Sequence, residues 1–358
     1  MPGPVGGVEY PRDLVEFAAW FPDDAACADY LAWLRWGVAG FVCPSCGVVG
    51  HGWRRADGKN YDCGACGSRS SVTAATIFDR TRAPLTVWFR VAWEMTARAN
   101  GVSTRSLYRS LGLGSYQTAW MMTHRYRRAM VMPGRARLSG VVEVDETIVG
   151  GHHRTGKPGR TLDPDRIIVL VMVENRGRSG VGGAGKGLGR ARLAVLDDHK
   201  AATINAALVA NLEPSCSVVS DAYGALSKAL AGYQHQAINT KRSGTPAHVL
   251  YPAVSRVQAQ LKRWLAGTHQ GAVSRDHLTE YLWEFEFRFN RRHARKPGML
   301  FYRLLEQAVR TDPVTYADVA IGRYRIRSTS PTTPPAHRGV PRSLAQPDAG
   351  RPWRQVPR

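Results

Sequence analysis

The stretch that most constrains the fold of this chain is residues 141–151, VVEVDETIVGG. Polar and apolar residues alternate along it, which is the period of a β-strand, and the glycine pair at its end stops it. One face carries Glu143, Asp145 and Thr147, and the other carries Val142, Val144 and Ile148. Carboxylates within such a strand indicate either a solvated sheet edge or a metal site. Asp145 is the candidate ligand.

The chain as a whole is strongly basic. Its 358 residues include 49 Lys and Arg against 28 Asp and Glu, which leaves a net charge of +21. Such an excess favours a polyanionic partner, because basic side chains neutralise phosphates and release counterions. Hydrophobic residues make up 44% of the chain, which is enough to build a core in more than one domain. We therefore expect a multidomain protein that binds double-stranded DNA.

A membrane surface is the alternative polyanion, and the sequence disfavours it. No apolar run reaches the roughly eighteen residues that a spanning helix needs. The first residues, MPGPVGGVEYPRDL, lack the apolar core of a signal peptide. We therefore expect no membrane association and a cytoplasmic location.

Two CxxC pairs predict a zinc site. The pairs enclose Pro-Ser and Gly-Ala, sixteen residues lie between them, and a glycine follows each. Tight turns at those glycines let four thiolates close a tetrahedron around one Zn²⁺. A chain without an export signal makes the alternative, disulfides, unfavourable. The four ligands are Cys43, Cys46, Cys63 and Cys66, whereas Cys27 and Cys216 stand in apolar surroundings and are expected to be core thiols.

The residues on either side of the first CxxC pair complete an N-terminal module. Apolar residues recur at helical intervals over 12–40, and Asp23 and Asp24 are placed to open a helix that runs to about Trp36. We interpret this segment as a helical collar. Cations and aromatic residues alternate between the two pairs, which suits either a ribbon hairpin lying on DNA or a hairpin solvated by its own charges.

Residues 85–130 predict a helix-turn-helix. A helix over 85–99 is followed by two N-cap serines, Ser103 and Ser115, which open a short helix ending near 111 and a longer one ending near 130. An ordinary helical hairpin is the alternative, and the basic charge and the adjacent zinc ribbon favour DNA binding. The cations of the last helix that can meet phosphates or base edges include Arg125, Arg127 and Arg128.

The following segment predicts an α/β domain. Patterns after residue 151 indicate strands over 166–174, 191–196, 216–220 and 236–239, with helices over 201–212, 222–230 and 254–265. This is the element order of the ribonuclease-H-like nuclease fold, in which the first and fourth strands lie side by side in a mixed five-stranded sheet. Asp145 and Asp221 would then be neighbours. Two close carboxylates can hold Mg²⁺ or Mn²⁺ for phosphodiester chemistry.

The chain resembles bacterial insertion-sequence transposases of the DDE type that carry an N-terminal zinc ribbon. The resemblance covers roughly residues 12–306 and rests on CPSCG, DCGACG, VEVDETIVGG, SDAYGALSKAL, LKRWLAGTHQGAVS and HLTEYLWEFEFRFNRR. It implies binding of terminal inverted repeats, metal-dependent cleavage and strand transfer to target DNA. It also implies a homodimer or higher synaptic assembly and, for a bacterial protein, association with the nucleoid. Asp145 and Asp221 correspond to the first two metal ligands.

The third ligand departs from the family's pattern. In the family an acid, asparagine or histidine stands about seven residues before the lysine of the LKR motif, which is Lys262 here, and Ser255 occupies that position. A serine hydroxyl supplies no charge, so the loss of a ligand is expected to slow catalysis by orders of magnitude. The possible substitutes are His248 first, then Glu280, Glu284 or Glu143. A transposase-derived DNA-binding protein without catalysis therefore stays open, as does a nuclease without strand transfer.

The rest of the chain predicts DNA contacts and a tail. Lys262, Arg263 and His269 lie in a basic helix and loop that we expect to grip the DNA end, whereas the aromatic residues of 280–289 are expected to be core. Residues 323–358 are rich in arginine and proline and cannot form a core. The predicted organisation is collar and zinc ribbon (1–80), helix-turn-helix (81–135), catalytic domain (136–306) and disordered basic tail (307–358).

Overall fold

The structure is a computed structural model that describes residues 4–150, 166–177, 187–271 and 273–321. The helices are α1 (Leu14–Trp20), α2 (Asp24–Trp36), α3 (Leu85–Ala97), α4 (Thr104–Ser110), α5 (Tyr116–Ala129), α6 (Ala201–Asn211), α7 (Gly224–Ala229), α8 (Thr240–Ser243), α9 (Ala247–Leu250), α10 (Pro252–His269), α11 (Arg275–Phe289), α12 (Pro297–Ala308) and α13 (Tyr316–Ala320). The strands are β1 (Gly52–Arg54), β2 (Asn60–Cys63), β3 (Arg69–Ser71), β4 (Val141–Gly150), β5 (Arg166–Asn175), β6 (Leu188–Leu196), β7 (Ser217–Asp221) and β8 (Gln234–Ile238). Within these ranges no helix combines the length and apolar content that a membrane crossing requires.

The chain divides into two compact units. The first comprises Met1–Gly134 and Ala294–Arg358, and the second, the sheet unit, comprises Arg135–His293. The sequence places the end of the α/β domain at 306, whereas the structure ends the sheet unit at 293. The difference is α12, which follows the sheet unit in sequence but packs within the first unit.

The core of the first unit is an aromatic cluster around α12. Its central ring is Phe301, whose centroid lies within 5.4–5.8 Å of the rings of Phe17, Phe21, Phe89 and Trp93. The first turn of α12 also approaches the chain near Pro11 so closely that a Cβ at Gly298 would lie 1.6 Å from the Pro11 carbonyl oxygen. Glycine is therefore required there, and it fixes α12 against the N-terminal segment.

The N-terminal helices begin where the sequence predicts. The Asp23 carboxylate accepts a hydrogen bond from the Ala26 N–H at 2.8 Å, and α2 then runs to Trp36. The ring of Trp36 lies edge-on to Phe41 and Tyr61, at 5.1 and 4.9 Å, which anchors the three-stranded ribbon β1-β2-β3 on the end of α2. The collar and the ribbon therefore share one small core.

Helices α3, α4 and α5 follow the predicted boundaries closely. Ser103 and Ser115 cap α4 and α5 by accepting hydrogen bonds from Ser106 N–H and Thr118 N–H, both at 3.1 Å. A five-residue turn joins the two helices. This arrangement of helices is compatible with the predicted helix-turn-helix.

The predicted tail is partly folded. Residues 307–321 include the end of α12 and the whole of α13, whose first turn is closed by a reciprocal capping box between Thr315 and Asp318. Val319 is fully buried. The tail prediction is corrected for these residues, and residues 322–358 lie outside the described part of the chain.

The sheet unit contains one mixed sheet with the strand order β6-β5-β4-β7-β8. Neighbours β4, β5 and β6 pair antiparallel, whereas β4, β7 and β8 pair parallel. The five-stranded sheet and its order are those predicted for a ribonuclease-H-like domain. One sheet face packs on α6 and α7, and the other packs on α10 and α11.

Side chains of α11 and the residue after it occupy the hydrogen-bonding positions along the outer edge of β6. The Asn290 amide accepts from Ala191 N–H at 2.7 Å and donates to Ala191 C=O at 3.0 Å, and the Glu286 carboxylate accepts from Leu193 N–H at 2.6 Å. Backbone groups that an edge strand would otherwise expose are thereby paired within the chain.

A buried glutamate joins β5 to β6. Burial alone would raise the pKa of Glu174, but hydrogen bonds from the Arg190 side chain and N–H and from Ser139 N–H lower that pKa to about 2. Because the pKa in the folded protein is below that of the unfolded chain, ionised Glu174 stabilises the fold above about pH 4.5, and this contribution disappears as the pH falls toward about 2.

Glu174→Gln is expected to lower the free energy of unfolding by about 2–3 kcal/mol at pH 7, because the charge-assisted bonds to Arg190 are lost. Urea unfolding of both proteins at a series of pH values measures the difference. We expect that difference to shrink as the pH falls below the ordinary carboxyl range. A difference that stayed constant down to pH 3 would contradict this account of Glu174.

Candidate functional site

Parallel pairing of β4 with β7 brings the two predicted carboxylates together. Val141 lies opposite Ser217 and Val144 opposite Ser220, so the next residues along the two strands are Asp145 and Asp221. Both side chains are half-buried and therefore reachable from solvent. Two oxygen ligands at neighbouring strand positions form the type of site that hard divalent cations prefer.

The pKa of Asp145 is affected by its closeness to Asp221. Burial raises the pKa of Asp145 above its ordinary value, and the negative charge of Asp221 raises it further, while a hydrogen bond from Gln258 works in the opposite direction. The same negative charges act on the Tyr251 hydroxyl. Burial, together with the charges of Asp221 and Asp145, raises the pKa of Tyr251 to about 12. The carboxylates thus form one electronegative cluster, and a bound cation would relieve their repulsion.

Glu143 faces the same side of β4 as Asp145 but has a different role. It is buried, and one of its carboxylate oxygens accepts hydrogen bonds from Ala253 N–H and Val254 N–H, at 2.7 and 2.8 Å. Its other oxygen accepts from the Asn175 amide at 2.6 Å. The first turn of α10 has no side-chain cap of its own, so Glu143 supplies one from the sheet. These bonds commit Glu143 to holding α10, not to serving as a substitute ligand.

The other predicted substitutes are on α9 and α11. His248 is exposed on α9, and Glu280 and Glu284 are buried on α11, which packs on the edge strand β6. Among the described residues, no His, Cys, Asp or Glu forms a three-ligand cluster with Asp145 and Asp221. The structure therefore brings none of these substitutes together with both carboxylates.

Ser255 and Gln258 lie one turn apart on α10. Ser255 is half-buried, and its backbone N–H donates to Tyr251 C=O at 3.1 Å. Gln258, also half-buried, donates from its side-chain amide to the Asp145 carboxylate at 2.9 Å. Sequence reasoning missed Gln258, although its spacing of three residues from Ser255 places both on one side of the helix.

The three arginines predicted to contact DNA from α5 are held in the protein. Arg127 is fully buried, so it does not present its charge to DNA, and that prediction is corrected. Arg125 donates to Ile77 C=O at 3.1 Å, and Arg128 donates to Asp318 C=O at 2.7 Å. The structure therefore buries Arg127 and leaves Arg125 and Arg128 half-buried, each bonded to a backbone carbonyl.

The predicted cations of α10 differ in their placement. Lys262 and Arg263 are exposed, and Lys262 follows Gln258 by four residues, which puts it on the same side of the helix. His269 is half-buried between the rings of Trp264 and Tyr281, at 4.6 and 4.5 Å. Lys262 and Arg263 are therefore accessible to DNA, whereas His269 serves as an aromatic contact.

Four cysteines form a candidate zinc site. The sulfur atoms of Cys43 and Cys66 lie 3.7 Å apart, as do those of Cys46 and Cys63, and all four lie within 4.8 Å of one another. A zinc tetrahedron with Zn–S bonds near 2.3 Å requires sulfur separations of about 3.8 Å, whereas a disulfide requires about 2.05 Å. The geometry therefore fits structural zinc.

The two CxxC turns have the same backbone geometry, which explains how the site is preformed. Gly47 N–H donates to Cys43 C=O and Gly67 N–H donates to Cys63 C=O, each at 2.9 Å. Both glycines have positive φ, +73° and +70°, which a side chain would disfavour. The two remaining cysteines, at 27 and 216, are fully buried, as predicted.

The cations of the ribbon are paired with acids of the same unit. Arg55 lies 2.8 Å from Asp62, and Lys59 lies 2.8 Å from Asp24. Trp53 projects from the ribbon with 74% of its surface exposed. The paired cations agree with a hairpin solvated by its own charges, and the exposed tryptophan leaves DNA contact open.

Comparison with known families agrees with these two centres. Residues 137–290 match the family described as ISXO2-like transposase domain, and residues 22–69 match the transposase zinc-ribbon domain. The first match coincides with the sheet unit to within three residues at each end, and the second spans α2, β1 and β2 and ends at the first residue of β3. Neither the curated proteins nor the solved structures yielded a match.

Removal of zinc is expected to unfold the ribbon, because four thiolates held within 4.8 Å of one another repel when no cation neutralises them. Metal analysis of purified protein should give one zinc per chain, and Cys63→Ser should lose it together with the near-ultraviolet circular dichroism of the aromatic cluster at Trp36. Cys216→Ala, which removes a cysteine of the sheet unit, should retain the zinc. Chelation that leaves the ribbon folded would contradict the zinc assignment.

Glu143→Gln is expected to loosen the first turn of α10, because a neutral amide accepts the two backbone N–H groups less strongly than a carboxylate. We expect a loss of about 1.5–3 kcal/mol in the free energy of unfolding and faster hydrogen exchange at Ala253 and Val254. Glu213→Gln is the matched control, because among the described residues the Glu213 side chain makes no hydrogen bond. Unchanged exchange at these two amides would contradict the capping role.

Proposed function

Because the chain belongs to the insertion-sequence transposases that carry an N-terminal zinc ribbon, we propose that it binds the terminal inverted repeats of its element, cuts them and joins them to target DNA. The observation that carries this proposal is the β4–β7 register, which aligns Asp145 with Asp221 inside the domain that matches the transposase family. The proposed ligands of the catalytic cation, Mg²⁺ or Mn²⁺, are these two carboxylates. A divalent cation there would polarise the scissile phosphate and favour attack by water or a 3′-hydroxyl.

The protein's own residues set the conditions for this chemistry. Asp145 is oriented from both sides, since one oxygen accepts from Glu146 N–H and the other from Gln258, each at 2.9 Å. Asp221 accepts from Tyr223 N–H just after the strand ends. These bonds hold the carboxylates in fixed rotamers before a ligand arrives, so little reorganisation is required. Lys262 is exposed one turn after Gln258 on α10, where it is available to bind a phosphate of the DNA end.

We propose that α4 and α5 form the sequence-reading helix-turn-helix. The first turn of α5 exposes Tyr116, Gln117 and Thr118, and the recognition helices of this motif contact base edges with their N-terminal residues. Arg105 and Arg109 are exposed on α4, where the motif contacts the phosphate backbone. The two helices pack against each other, and the buried hydroxyl groups of Thr104 on α4 and Thr123 on α5 lie 3.2 Å apart. Recognition of the DNA sequence therefore depends on the first turn of α5 and not on the arginine-rich end of that helix.

The family also supports an assembly of two or more copies that pairs element ends, and action on DNA in the bacterial cytoplasm and nucleoid. A catalytically impaired DNA-binding protein is the second candidate. It is favoured by one observation: residue 255 is a serine, and among the described residues no His, Cys, Asp or Glu forms a three-ligand cluster with Asp145 and Asp221. A nuclease that cuts without joining is a third outcome of the same assay.

Asp145→Asn and Asp221→Asn are expected to reduce cleavage of an end-repeat duplex by on the order of 100-fold or more, because each removes a charged ligand of the cation. Repeat binding, measured by gel shift, should change little. Asp197→Asn, which alters a carboxylate that is 93% exposed, is the matched control. Wild-type protein that binds the repeat and leaves it uncut with Mn²⁺ would favour the impaired protein, and cutting without joined product would favour the nuclease.

A further inference from the structure

We propose that Gln258, not Ser255, supplies the third ligand of the divalent cation through its side-chain carbonyl oxygen. This inference rests on the proposed transposase function and concerns the same site. Its starting point is a contact: the Gln258 amide lies 2.9 Å from the carboxylate of Asp145. Amide carbonyl oxygens are ordinary ligands of hard divalent cations, so a glutamine there has the required chemistry.

The docking of α10 explains why residue 258 reaches the site. Glu143 fixes the first turn of the helix on β4 by accepting from Ala253 and Val254. With the helix so fixed, Val254, Val257 and Leu261 are buried against the sheet. Both Ser255 and Gln258 are half-buried on the same flank of α10, and at ~100° per residue Gln258 lies about 40° round the helix from Val254 whereas Ser255 lies about 100° from it, so Gln258 is nearer the apolar stripe.

Side-chain length distinguishes the two positions further. The side-chain oxygen of Gln258 is separated from its Cβ by one more methylene group and the amide carbon than the hydroxyl oxygen of serine is. The Gln258 side chain already spans the distance from the helix to Asp145. The Ser255 hydroxyl makes no hydrogen bond within the described ranges. Each side chain that the family carries at this position, an acid, asparagine or histidine, is longer than serine. The contact that such a ligand would make is therefore transferred one turn along the helix.

The observed hydrogen bond is compatible with ligation. In the structure the amide nitrogen donates to the Asp145 carboxylate, which offsets negative charge. Rotation about the terminal torsion of glutamine exchanges nitrogen and oxygen at little cost, because that torsion is broad. After that exchange the carbonyl oxygen of Gln258 would lie beside the Asp145 carboxylate and could join it in holding a divalent cation.

The test is Mn²⁺ affinity of the full-length, zinc-loaded protein, measured from the free-ion signal in electron paramagnetic resonance, together with cleavage of the end-repeat duplex. Gln258→Ala is expected to weaken Mn²⁺ binding by on the order of 10-fold and to slow cleavage. Gln258→Glu, which keeps the shape and adds a charge, is expected to bind Mn²⁺ more tightly than wild type. The matched control is Gln260→Ala, the same substitution on the opposite flank of α10, with unchanged affinity.

The outcomes separate this inference from the proposed function. Unchanged Mn²⁺ affinity in Gln258→Ala overturns the inference, even if cleavage slows, because the residue would then only position Asp145. Ser255→Ala that weakens binding as much as Gln258→Ala also overturns it. In either case Asp145→Asn should still lose both Mn²⁺ binding and cleavage, and if it loses neither, the proposed function fails instead. Urea unfolding of Gln258→Ala and Gln258→Glu verifies that both are folded.

Discussion

The two hydrogen bonds from the first turn of α10 to Glu143 determine how that helix lies on the sheet. A helix N-terminus has unpaired N–H groups and a partial positive charge, and a buried carboxylate satisfies both. Once the first turn is fixed, every later residue of the helix has a set direction. Val254 and Val257 fill the core, Gln258 meets Asp145, and Lys262 is presented to solvent on the same flank.

Strand alternation gives the three acids of β4 different roles. Glu143 and Asp145 share one face, and their separation of about 6–7 Å along the strand lets the first hold the helix while the second remains available at the site. Glu146 points to the other face, where its carboxylate lies 3.0 Å from the imidazole of His199. A single short motif therefore supplies scaffold, candidate ligand and an opposite-face contact, and a one-residue shift in register would exchange all three.

Much of the site could be predicted from local sequence, because local rules govern the features concerned. The serine caps of α4 and α5, the aspartate cap of α2 and the CxxC turns each depend on a few adjacent residues. The adjacency of Asp145 and Asp221 required one further step, the strand order of a known fold, and the register agrees with it.

The rest depended on contacts between distant residues. The apolar residues of 297–308 predict burial but do not say against what, and Phe301 packs with aromatic residues nearly 300 positions earlier. Arg127 carries the most hydrophilic side chain of its helix face, yet it is buried. Comparison with a family matches residues by their position in the sequence and does not show which side chain contacts Asp145. It therefore indicated Ser255 and did not indicate Gln258. In each case the missing information was which surfaces meet in three dimensions.

The hydrogen bonds that α11 and Asn290 make with β6 have a consequence for assembly. Edge strands normally offer a template on which a second chain can add a strand, and such addition propagates into aggregates. Here the N–H and C=O of Ala191 and the N–H of Leu193 are already satisfied by side chains of the same molecule. A foreign strand would have to displace a helix to pair with β6. Any association of copies at this edge would therefore have to use side-chain surfaces, because a continuous intermolecular sheet is blocked there.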